Sequence, residues 1–460
     1  MRSGEDTIAA IATAQGEGGI AIVRVSGPGA LKALEAVFER GSARRAGDNP
    51  EAFQGEARPA GGPWTPGRLY YGHVTEDGRL LDEAMAVYMA SPRSYTREDV
   101  CELHVHGGRY AAEKALNLVL RQGARVAEPG EFTLRAFLNG RIDLSQAEAV
   151  MAMIRAGGEG AFRAAARQMN QSVRALVEGV SRDLTGLLAQ IEALADFPEE
   201  VDEAEASDDL EGGIRKSIKT LEGALDERAA RFLREGLAVA IAGAPNAGKS
   251  SLMNALLGSD RAIVTDVPGT TRDVLAERLR YRGFEITLMD TAGLREAGDA
   301  IEREGVLRAR RAMDSADVVL LVLDGSAPEG EAERELLREA DGRYLVALNK
   351  CDLGILPGRE GLPVSARTGE GVEALLSAVA ARAGDEAAAE ELLTQPRQID
   401  CARRAVDALR RALGAIGGGM PPDVLSVDLM AALDILGEIT GRSAPDEVID
   451  AVFRNFCVGK

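Results

Sequence analysis

The sequence predicts a multidomain α+β and α/β protein in which an α/β segment with a mainly parallel sheet interrupts an all-helical region. Its 460 residues are enough for roughly two to four domains of ordinary size. Between residues 237 and 384, short apolar runs alternate with helical patterns, which is typical of parallel strands joined by helices. The flanking segments, 141–236 and 385–460, carry apolar residues at helical spacing.

The first 140 residues precede this arrangement and mix strands with loops. The apolar run 20–25 lies between turn-forming glycine and proline residues, so it predicts a strand. Residues 81–89 and 99–106 also predict strands, and 110–121 predicts a helix. We expect the acidic patch 199–211, farther along, to be a solvated loop between helices.

The predicted α/β segment opens with a strand at 237–242. Further strands are expected at 285–289, 317–323 and 344–348, with helices at 250–257, 302–313 and 330–340.

Composition excludes several classes of protein. The 54 Lys+Arg and 73 Asp+Glu residues give a net charge of −19, which argues against a protein that coats nucleic acid through charge alone. No apolar run reaches the roughly 18 residues of a membrane span, and the acidic start lacks the pattern of an export signal, so we expect a cytoplasmic protein. The cysteines are too scattered for a zinc site or a disulfide framework, and His104 and His106 lack an evident third ligand. The cysteines are Cys101, Cys351, Cys401 and Cys457.

A phosphate-binding loop follows the first strand of the α/β segment. The sequence from Gly243 to Ser250 reads GAPNAGKS and opens a predicted helix. Its glycines let backbone N–H groups turn toward phosphates, Lys249 can reach the β and γ oxygens, and the Ser250 hydroxyl can bind Mg²⁺. The nucleotide-binding residues predicted here are Asn246, Ala247, Gly248, Lys249, Ser250 and Ser251.

Three later motifs extend the predicted nucleotide site, and the last two of them indicate guanine rather than adenine. Asp290-Thr-Ala-Gly293 ends a strand and places a carboxylate where a second contact to Mg²⁺, besides the Ser250 hydroxyl, is needed. Asn349-Lys350-Cys-Asp352 ends another strand, and the Asp352 carboxylate can accept from both the ring N–H and the amine of guanine. Backbone N–H groups of Ser365 and Ala366 are expected to meet the guanine carbonyl.

A switch loop is predicted between these motifs. Thr270 and Thr271 are adjacent hydroxyls, and Thr271 would complete the Mg²⁺ shell only while the γ-phosphate is present. Leu294 stands where signalling GTPases carry a water-orienting glutamine, so another group has to assist hydrolysis. Arg295, Glu296, Glu302 and Arg303 follow in the same stretch.

The combination of these motifs with the terminal Phe456-Cys-Val-Gly-Lys460 resembles the MnmE (TrmE) family of tRNA-modification GTPases. The likeness spans the whole chain and includes 18–27, 95–108 and 129–144. The resemblance implies an N-terminal folate-binding and dimerisation domain (1–140), a discontinuous helical domain (141–236 and 385–460) and an inserted Ras-like P-loop G domain (237–384).

The same resemblance implies an activity and partners. It implies a homodimeric, K⁺-stimulated GTPase that acts with the flavoprotein MnmG on the wobble uridine of certain tRNAs. The modification adds an aminomethyl or carboxymethylaminomethyl group, and a 5-formyl- or methylene-tetrahydrofolate supplies the one-carbon unit. MnmG would make most of the tRNA contact, which accords with the negative charge.

The resemblance also assigns residue roles. Asn246 would bind K⁺ and Glu302 would position the attacking water, with Lys249 and Thr271 as the other catalytic groups. The folate site would use Arg24, Glu102, Arg141 and Lys460, where the carboxylate pairs with the pterin and the cations suit the glutamate tail. Arg141 stands where lysine is expected. The Cys457 thiol would either act on the one-carbon carrier or pack.

Two rival functions remain open from the sequence. One is a GTP-switched ribosome-assembly or RNA-associated binding protein, which would not require the N-terminal blocks or the terminal FCVGK. The other is an ATPase, which Asp352 opposes.

Overall fold

The computed structural model describes residues 6–14, 16–41, 63–196, 203–259, 263–264, 276–281, 284–290, 310–382, 393–418 and 420–460. The chain divides into two compact units. Unit 1 comprises Met1–Glu148 with Gly437–Lys460, and unit 2 comprises Ala149–Leu436. The structure thus groups 437–460 with the N-terminal residues, whereas the sequence assigned that segment to the helical domain. The predicted boundaries at 140, 236 and 384 stay predictions.

Unit 1 is built on a sheet with strand order β3-β4-β5-β6-β2-β1-β7. Neighbouring strands are antiparallel except β1 and β7, which are parallel. The elements of its first 140 residues are β1 (Ile8–Ile11), β2 (Ile20–Ser26), α1 (Ala30–Val37), β3 (Phe38–Arg40), β4 (Leu69–Glu76), β5 (Arg79–Met89), β6 (Val100–His106), α2 (Arg109–Arg121), β7 (Arg125–Val126) and α3 (Glu131–Leu138).

Successive side chains of a strand point to opposite faces of the sheet, so apolar residues at every second position bury one face. On β2, Val23 and Val25 point into an apolar core that α1 and α2 cover, and on β6 Leu103 and Val105 do the same. Residues between them, such as Arg24, therefore face the opposite side. The strands predicted at 20–25, 81–89 and 99–106 and the helix at 110–121 are confirmed; β1, β3, β4 and β7 are additional.

The helical part of unit 2 follows. Its helices before the inserted sheet, the first of which begins in unit 1, are α4 (Leu144–Arg155), α5 (Glu159–Met169), α6 (Ser172–Asp196), α7 (Glu203–Gly223) and α8 (Glu227–Glu235). The expectation of a loop over 199–211 is wrong for residues 203–211, which belong to α7. Leu210, Ile214 and Leu221 of that helix are buried, at a spacing that places them on one face. The acidic residues occupy other positions of the same helix.

The inserted segment forms a second sheet with order β14-β13-β12-β8-β11-β10-β9. The strands from β14 to β11 are parallel, while β10 and β9 are antiparallel additions. Its elements are β8 (Leu237–Ala242), α9 (Lys249–Leu257), β9 (Ile263–Val264), β10 (Ala276–Tyr281), β11 (Phe284–Asp290), β12 (Val318–Asp324), α10 (Glu331–Arg338), β13 (Tyr344–Asn349), β14 (Leu362–Pro363) and α11 (Val372–Ala381).

Apolar cores cover both faces of the parallel strands. For this reason β12 is a continuous apolar run instead of an alternating one. The mainly parallel sheet predicted from the sequence is confirmed, as are its central strands. Of the predicted helices, 250–257 and 330–340 correspond to α9 and α10, and most of 302–313 lies outside the described residues.

The chain ends in helices α12 (Pro396–Gly417), α13 (Pro422–Thr440) and α14 (Asp446–Arg454). Ala402, Ala405, Leu409 and Ala412 line the buried side of α12, which packs against α7. Thus helical segments on both sides of the inserted sheet meet in unit 2. Within the described part of the chain, no helix combines the length and apolar character needed to span a bilayer.

Candidate functional site

The predicted phosphate loop lies where the strand order of the second sheet reverses. Strand β8 is flanked by β11 on one side and β12 on the other, and residues 243–248 connect β8 to α9. In open α/β sheets, the crevice at such a switch point binds ligands at the carboxyl ends of the strands. The first turn of α9 contains Ser250 and Ser251, and the N–H groups of a first turn can bind phosphate.

Hydrogen bonds and a close backbone approach fix the conformation of the loop 243–248. The Lys249 ammonium donates to the carbonyl oxygens of Gly243 and Ala244 at 2.8 and 2.9 Å. Gly248 has φ +91°, and a Cβ at this position would lie 2.3 Å from the side-chain nitrogen of Asn349. Both the backbone conformation and the close approach therefore require glycine at 248.

Asn349 joins two of the predicted motifs. Its side chain is buried, at 2% exposure; Nδ2 donates to the Ala247 carbonyl at 2.9 Å and Oδ1 accepts from the Ala366 N–H at 3.0 Å. Sequence reasoning assigned Asn349 to nucleotide binding. The geometry gives it a connecting role between the phosphate loop and the Ser365-Ala366 segment.

The Asp352 carboxylate is positioned by neighbours on the same segment. The Ser365 hydroxyl donates to Oδ1 at 2.7 Å, and Arg367 Nε lies 3.4 Å from Oδ2. The Ser365 N–H donates to Glu370 O, and that of Ala366 to Asn349, so both N–H groups have acceptors within the protein. Their predicted contact with a guanine carbonyl stays a prediction.

Lys350 connects the ends of β12 and β13. Its ammonium donates to Asp324 Oδ2 at 2.6 Å, and Ser326 donates to Oδ1 of the same carboxylate. Burial raises the pKa of Asp324, but the hydrogen bonds from Lys350 and Ser326 outweigh burial and hold the pKa below its ordinary value. The ion pair is therefore maintained at neutral pH.

Several predicted site residues lie outside the described part of the structure. Asp290 is the last residue of β11, but its side chain is outside the described part of the structure. The other predicted or candidate residues outside the described ranges are Thr270, Thr271, Gly293, Leu294, Arg295, Glu296, Glu302 and Arg303. Of the predicted Mg²⁺ ligands, the structure thus describes the side chain of Ser250.

Unit 1 carries a second group of predicted residues. Arg24 on β2 and Glu102 on β6 are directly opposite in the antiparallel register, on the face turned away from the core. Arg24 Nε donates to Glu102 Oε1 at 2.9 Å, and Arg24 Nη1 donates to the Gly459 carbonyl at 3.3 Å. The guanidinium also lies 5.7 Å from the centre of the Tyr95 ring.

Glu102 is held in its ionised form. His104, two residues along β6, places Nε2 3.3 Å from Glu102 Oε2. The hydrogen bond with His104, together with the charge and hydrogen bond of Arg24, outweighs burial and lowers the pKa of Glu102. His106 instead contacts Asp82, with Nδ1 and Oδ1 2.6 Å apart.

The C-terminal segment reaches the same face. Phe456 is buried beside Phe453, with ring centres 5.4 Å apart. Gly459 has φ +93°, and a Cβ there would lie 2.4 Å from the Ile11 carbonyl oxygen, so this approach requires glycine. Cys457 is exposed, and its carbonyl accepts from the N–H groups of Gly130 and Lys460.

Arg24, Glu102 and Lys460 border a cleft of about 650 Å³, which we call the unit 1 cleft. All four predicted folate-site residues line it, and Cys457 does not. The lining residues are Arg24, Met89, Pro92, Arg93, Ser94, Tyr95, Arg97, Val100, Glu102, Arg141 and Lys460. A volume of this size is typical of small-molecule sites.

Sequence reasoning missed the loop that forms one wall of the cleft. Tyr95 and Arg97 entered only through the segment 95–108 that carries the family resemblance, and no role was predicted for Arg93. In the structure, Arg141 donates to the Tyr95 carbonyl at 2.9 Å and its guanidinium lies 4.8 Å from the centre of the Tyr95 ring. The available signal was a turn-rich segment with two arginines directly after a strand.

Two family models match consecutive parts of the chain. The model described as GTP-binding protein TrmE N-terminus matches residues 7–141, and the model described as MnmE helical domain matches residues 144–457. The chain belongs to the MnmE family. 

Curated relatives in this family match the chain from end to end. The tRNA modification GTPase MnmE of Syntrophotalea carbinolica is 44% identical over 470 residues, covering 99% of each chain. The MnmE of Symbiobacterium thermophilum is also 44% identical, over 471 residues, covering 99% of this chain and 100% of the relative. Among solved structures, the G domain of the T. maritima FeoB iron transporter is 30% identical and covers 32% of this chain and 98% of its own, with a TM-score of 0.24.

Proposed function

We propose that this chain hydrolyses GTP and that hydrolysis is coupled to tRNA modification. The observation that carries the proposal is the junction at Asn349, which ties the phosphate loop to the segment that positions Asp352. A phosphate site and a carboxylate acceptor are thereby held in one rigid arrangement. Membership of the MnmE family supports the coupling to tRNA.

Guanine selectivity follows from the Asp352 carboxylate. Adenine lacks the paired donors of guanine, so the carboxylate would lose partners on binding ATP. GTP should therefore displace a fluorescent GDP analogue at concentrations far below those of ATP, and Asp352→Asn should weaken GTP binding. Displacement by ATP at similar concentration would contradict the proposal and favour an ATPase.

The hydrolytic machinery is proposed to use two cations. Ser250, Thr271 and Asp290 would bind Mg²⁺, which neutralises phosphate charge, and Asn246 would bind K⁺. Glu302 would orient the water, since Leu294 cannot. Hydrolysis should be slow in Na⁺ and much faster in K⁺; equal rates would remove K⁺ from the proposal. Glu302→Ala should spare GTP binding and lower turnover.

The unit 1 cleft is proposed to bind a 5-formyl- or methylene-tetrahydrofolate, which supplies a one-carbon unit when bound. The residues present fit such a group: Glu102 is an ionised acceptor for the amine and ring N–H of a pterin, and cations surround it. Glu102→Gln should weaken binding of 5-formyltetrahydrofolate about 10- to 100-fold, because a hydrogen bond to a charged group is lost. Calorimetric titration of the full chain measures this, and an unchanged affinity would remove Glu102 from the site.

The pathway proposal concerns the wobble uridine of certain tRNAs. The chain would act in the cytoplasm as a homodimer with MnmG, adding an aminomethyl or carboxymethylaminomethyl group. Nucleoside mass spectrometry of tRNA from cells that lack the gene should show loss of the modified wobble uridine. Unchanged nucleosides with defective ribosome assembly would instead support the rival function, a GTP-switched assembly factor.

A further inference from the structure

The unit 1 cleft contains positively charged side chains beyond those of the predicted folate-site residues. Among the described lining residues, Glu102 is the single carboxylate side chain, and it pairs with Arg24 and His104. Three guanidinium groups besides that of Arg24 line the cleft: Arg141, which the predicted folate site includes, and Arg93 and Arg97, which it does not. They contribute positive charge that the Arg24–Glu102 pair does not balance.

These three arginines lie toward solvent, whereas the Arg24–Glu102 pair lies deeper. The side chains of Arg24 and Glu102 are 17% and 16% exposed, while Arg93, Arg97 and Arg141 are all in the exposed class. An elongated ligand whose head contacts Glu102 would therefore extend past the arginines on its way out of the cleft.

Two of the arginines are anchored by the backbone. Arg97 Nη1 donates to the Asn139 carbonyl and Arg141 Nη1 to the Tyr95 carbonyl, both at 2.9 Å. A guanidinium carries five N–H donors, so one such bond leaves donors with which a carboxylate can pair. The anchoring reduces the entropy that each side chain loses when it binds an anion.

The chemistry of a folate tail matches this distribution of charge. A monoglutamyl tail ends in two carboxylates, and each further γ-linked glutamate adds one more. We propose that the unit 1 cleft selects oligo-γ-glutamyl folates over the monoglutamyl form, with Arg93 and Arg97 binding the carboxylates of the added glutamates. This rests on the proposed folate function of the cleft and specifies its substrate class.

The expected selectivity is moderate. Ion pairs at exposed positions contribute little individually, so two of them should improve affinity by about 3- to 20-fold. Salt should reduce the difference, because exposed charges are screened within about 10 Å at 0.1 M ionic strength. Selectivity by shape or apolar contact would not decline with salt in this way.

The test is calorimetric titration of the full chain with mono-, tri- and pentaglutamyl 5-formyltetrahydrofolate at low and high salt. The wild type should bind the triglutamate about 3- to 20-fold more tightly than the monoglutamate at low salt. In the double variant Arg93→Gln, Arg97→Gln, monoglutamate affinity should stay within about twofold and the dependence on tail length should disappear. Arg109→Gln is the matched control, since Arg109 is 89% exposed, pairs with Glu113 and does not line the cleft.

The outcomes separate the inference from the function on which it rests. Equal affinity for mono- and triglutamate in the wild type, with both weakened by Glu102→Gln, would overturn the inference and leave the folate site standing. No binding of any tail length would overturn both. A preference for longer tails that survives in a folded double variant would also overturn the inference. If the double variant does not fold, the two single variants and the salt dependence of the wild type decide whether Arg93 and Arg97 bind the added glutamates.

Discussion

The loops of the predicted nucleotide site and the unit 1 cleft arrange their polar groups in different ways. We call the segments 243–248, 349–352 and 365–366 the nucleotide loops. The nucleotide loops are short contiguous segments that follow neighbouring strands of one sheet, and much of their bonding involves backbone groups such as the Ala247 carbonyl and the Ala366 N–H. The cleft is built mainly from side chains that are remote in sequence. Arg24 and the Gly459 carbonyl that it contacts are 435 positions apart.

This difference has consequences for how each site tolerates substitution. A site made from backbone groups depends on conformation, so a change of loop geometry should affect it more than a change of charge. In a site made from charged side chains, ligand affinity should depend on the charge of those side chains, on the planar geometry of the guanidinium donors, on salt and on pH. Variants of one site should also leave ligand affinity at the other unchanged, which tests whether the two sites are energetically separate.

Among the variants that test this comparison, the largest effect is expected from Asn349→Ala. The substitution leaves the buried Ala247 carbonyl and the partly buried Ala366 N–H without their partner, at a cost of about 2 kcal/mol or more. GDP affinity should fall by about 30-fold, measured with a fluorescent analogue, while folate affinity is unchanged.

Asn455→Ala serves as the matched control, because Asn455 is an exposed asparagine of unit 1. If Asn349→Ala bound GDP normally, the junction would not hold the nucleotide loops. An equal loss of folate affinity would show that the two sites are coupled.

A somewhat smaller effect is expected from Gly248→Ala. The left-handed conformation costs a residue with a Cβ about 1–2 kcal/mol, and Asn349 is fixed by two hydrogen bonds and cannot move away. GDP affinity should decrease about tenfold. Gly342→Ala, where an added Cβ meets no atom within 4 Å, should bind GDP like the wild type; similar losses in both variants would contradict the local explanation.

A modest effect is expected from Arg24→Lys in the cleft. Lysine keeps the charge but cannot reach both Glu102 and the Gly459 carbonyl with a planar fork. Affinity for 5-formyltetrahydrofolate should decline by about 3- to 10-fold, with GDP affinity unchanged. Arg109→Lys is the control, and wild-type folate affinity in Arg24→Lys would mean that charge alone suffices.

The smallest effect is a pH dependence of stability in unit 1. Arg135 Nη2 donates to Asp6 Oδ1 at 2.7 Å and to Glu131 Oε1 at 3.0 Å, and Arg125 contacts both carboxylates. Burial raises the pKa of Glu131 and of Asp6, but the hydrogen bonds from the arginines outweigh it and lower both from ordinary values of 4.5 and 3.8.

Because these pKa values are lower in the folded chain than in the unfolded chain, the folded chain binds fewer protons. The stabilisation is present above about pH 4.5 and is lost as pH falls through the lowered values. The thermal midpoint should decrease by a few degrees, about 2–4 °C per kcal/mol lost. Glu131→Gln should show a shallower decrease below pH 4.5, and an identical profile would remove Glu131 from the network's contribution.

The sequence by itself determined the fold class, the position of the parallel sheet and the order of the nucleotide motifs. These features depend on local patterns: periodicity distinguishes strands from helices, and a strand followed by a glycine-rich loop and a helix specifies a phosphate site. Local patterns were insufficient for α7, where the acidic residues of 203–211 obscured the apolar face containing Leu210.

Only the tertiary structure decided how the unit 1 cleft is assembled. The register of β2 against β6 places Arg24 opposite Glu102, and the return of the C-terminal segment places the Gly459 carbonyl against Arg24. The loop that contributes Arg93 and Arg97 is brought to the same place. No local pattern encodes such contacts, because the packing of the whole unit sets the strand register and the position of the C-terminal segment beside β2.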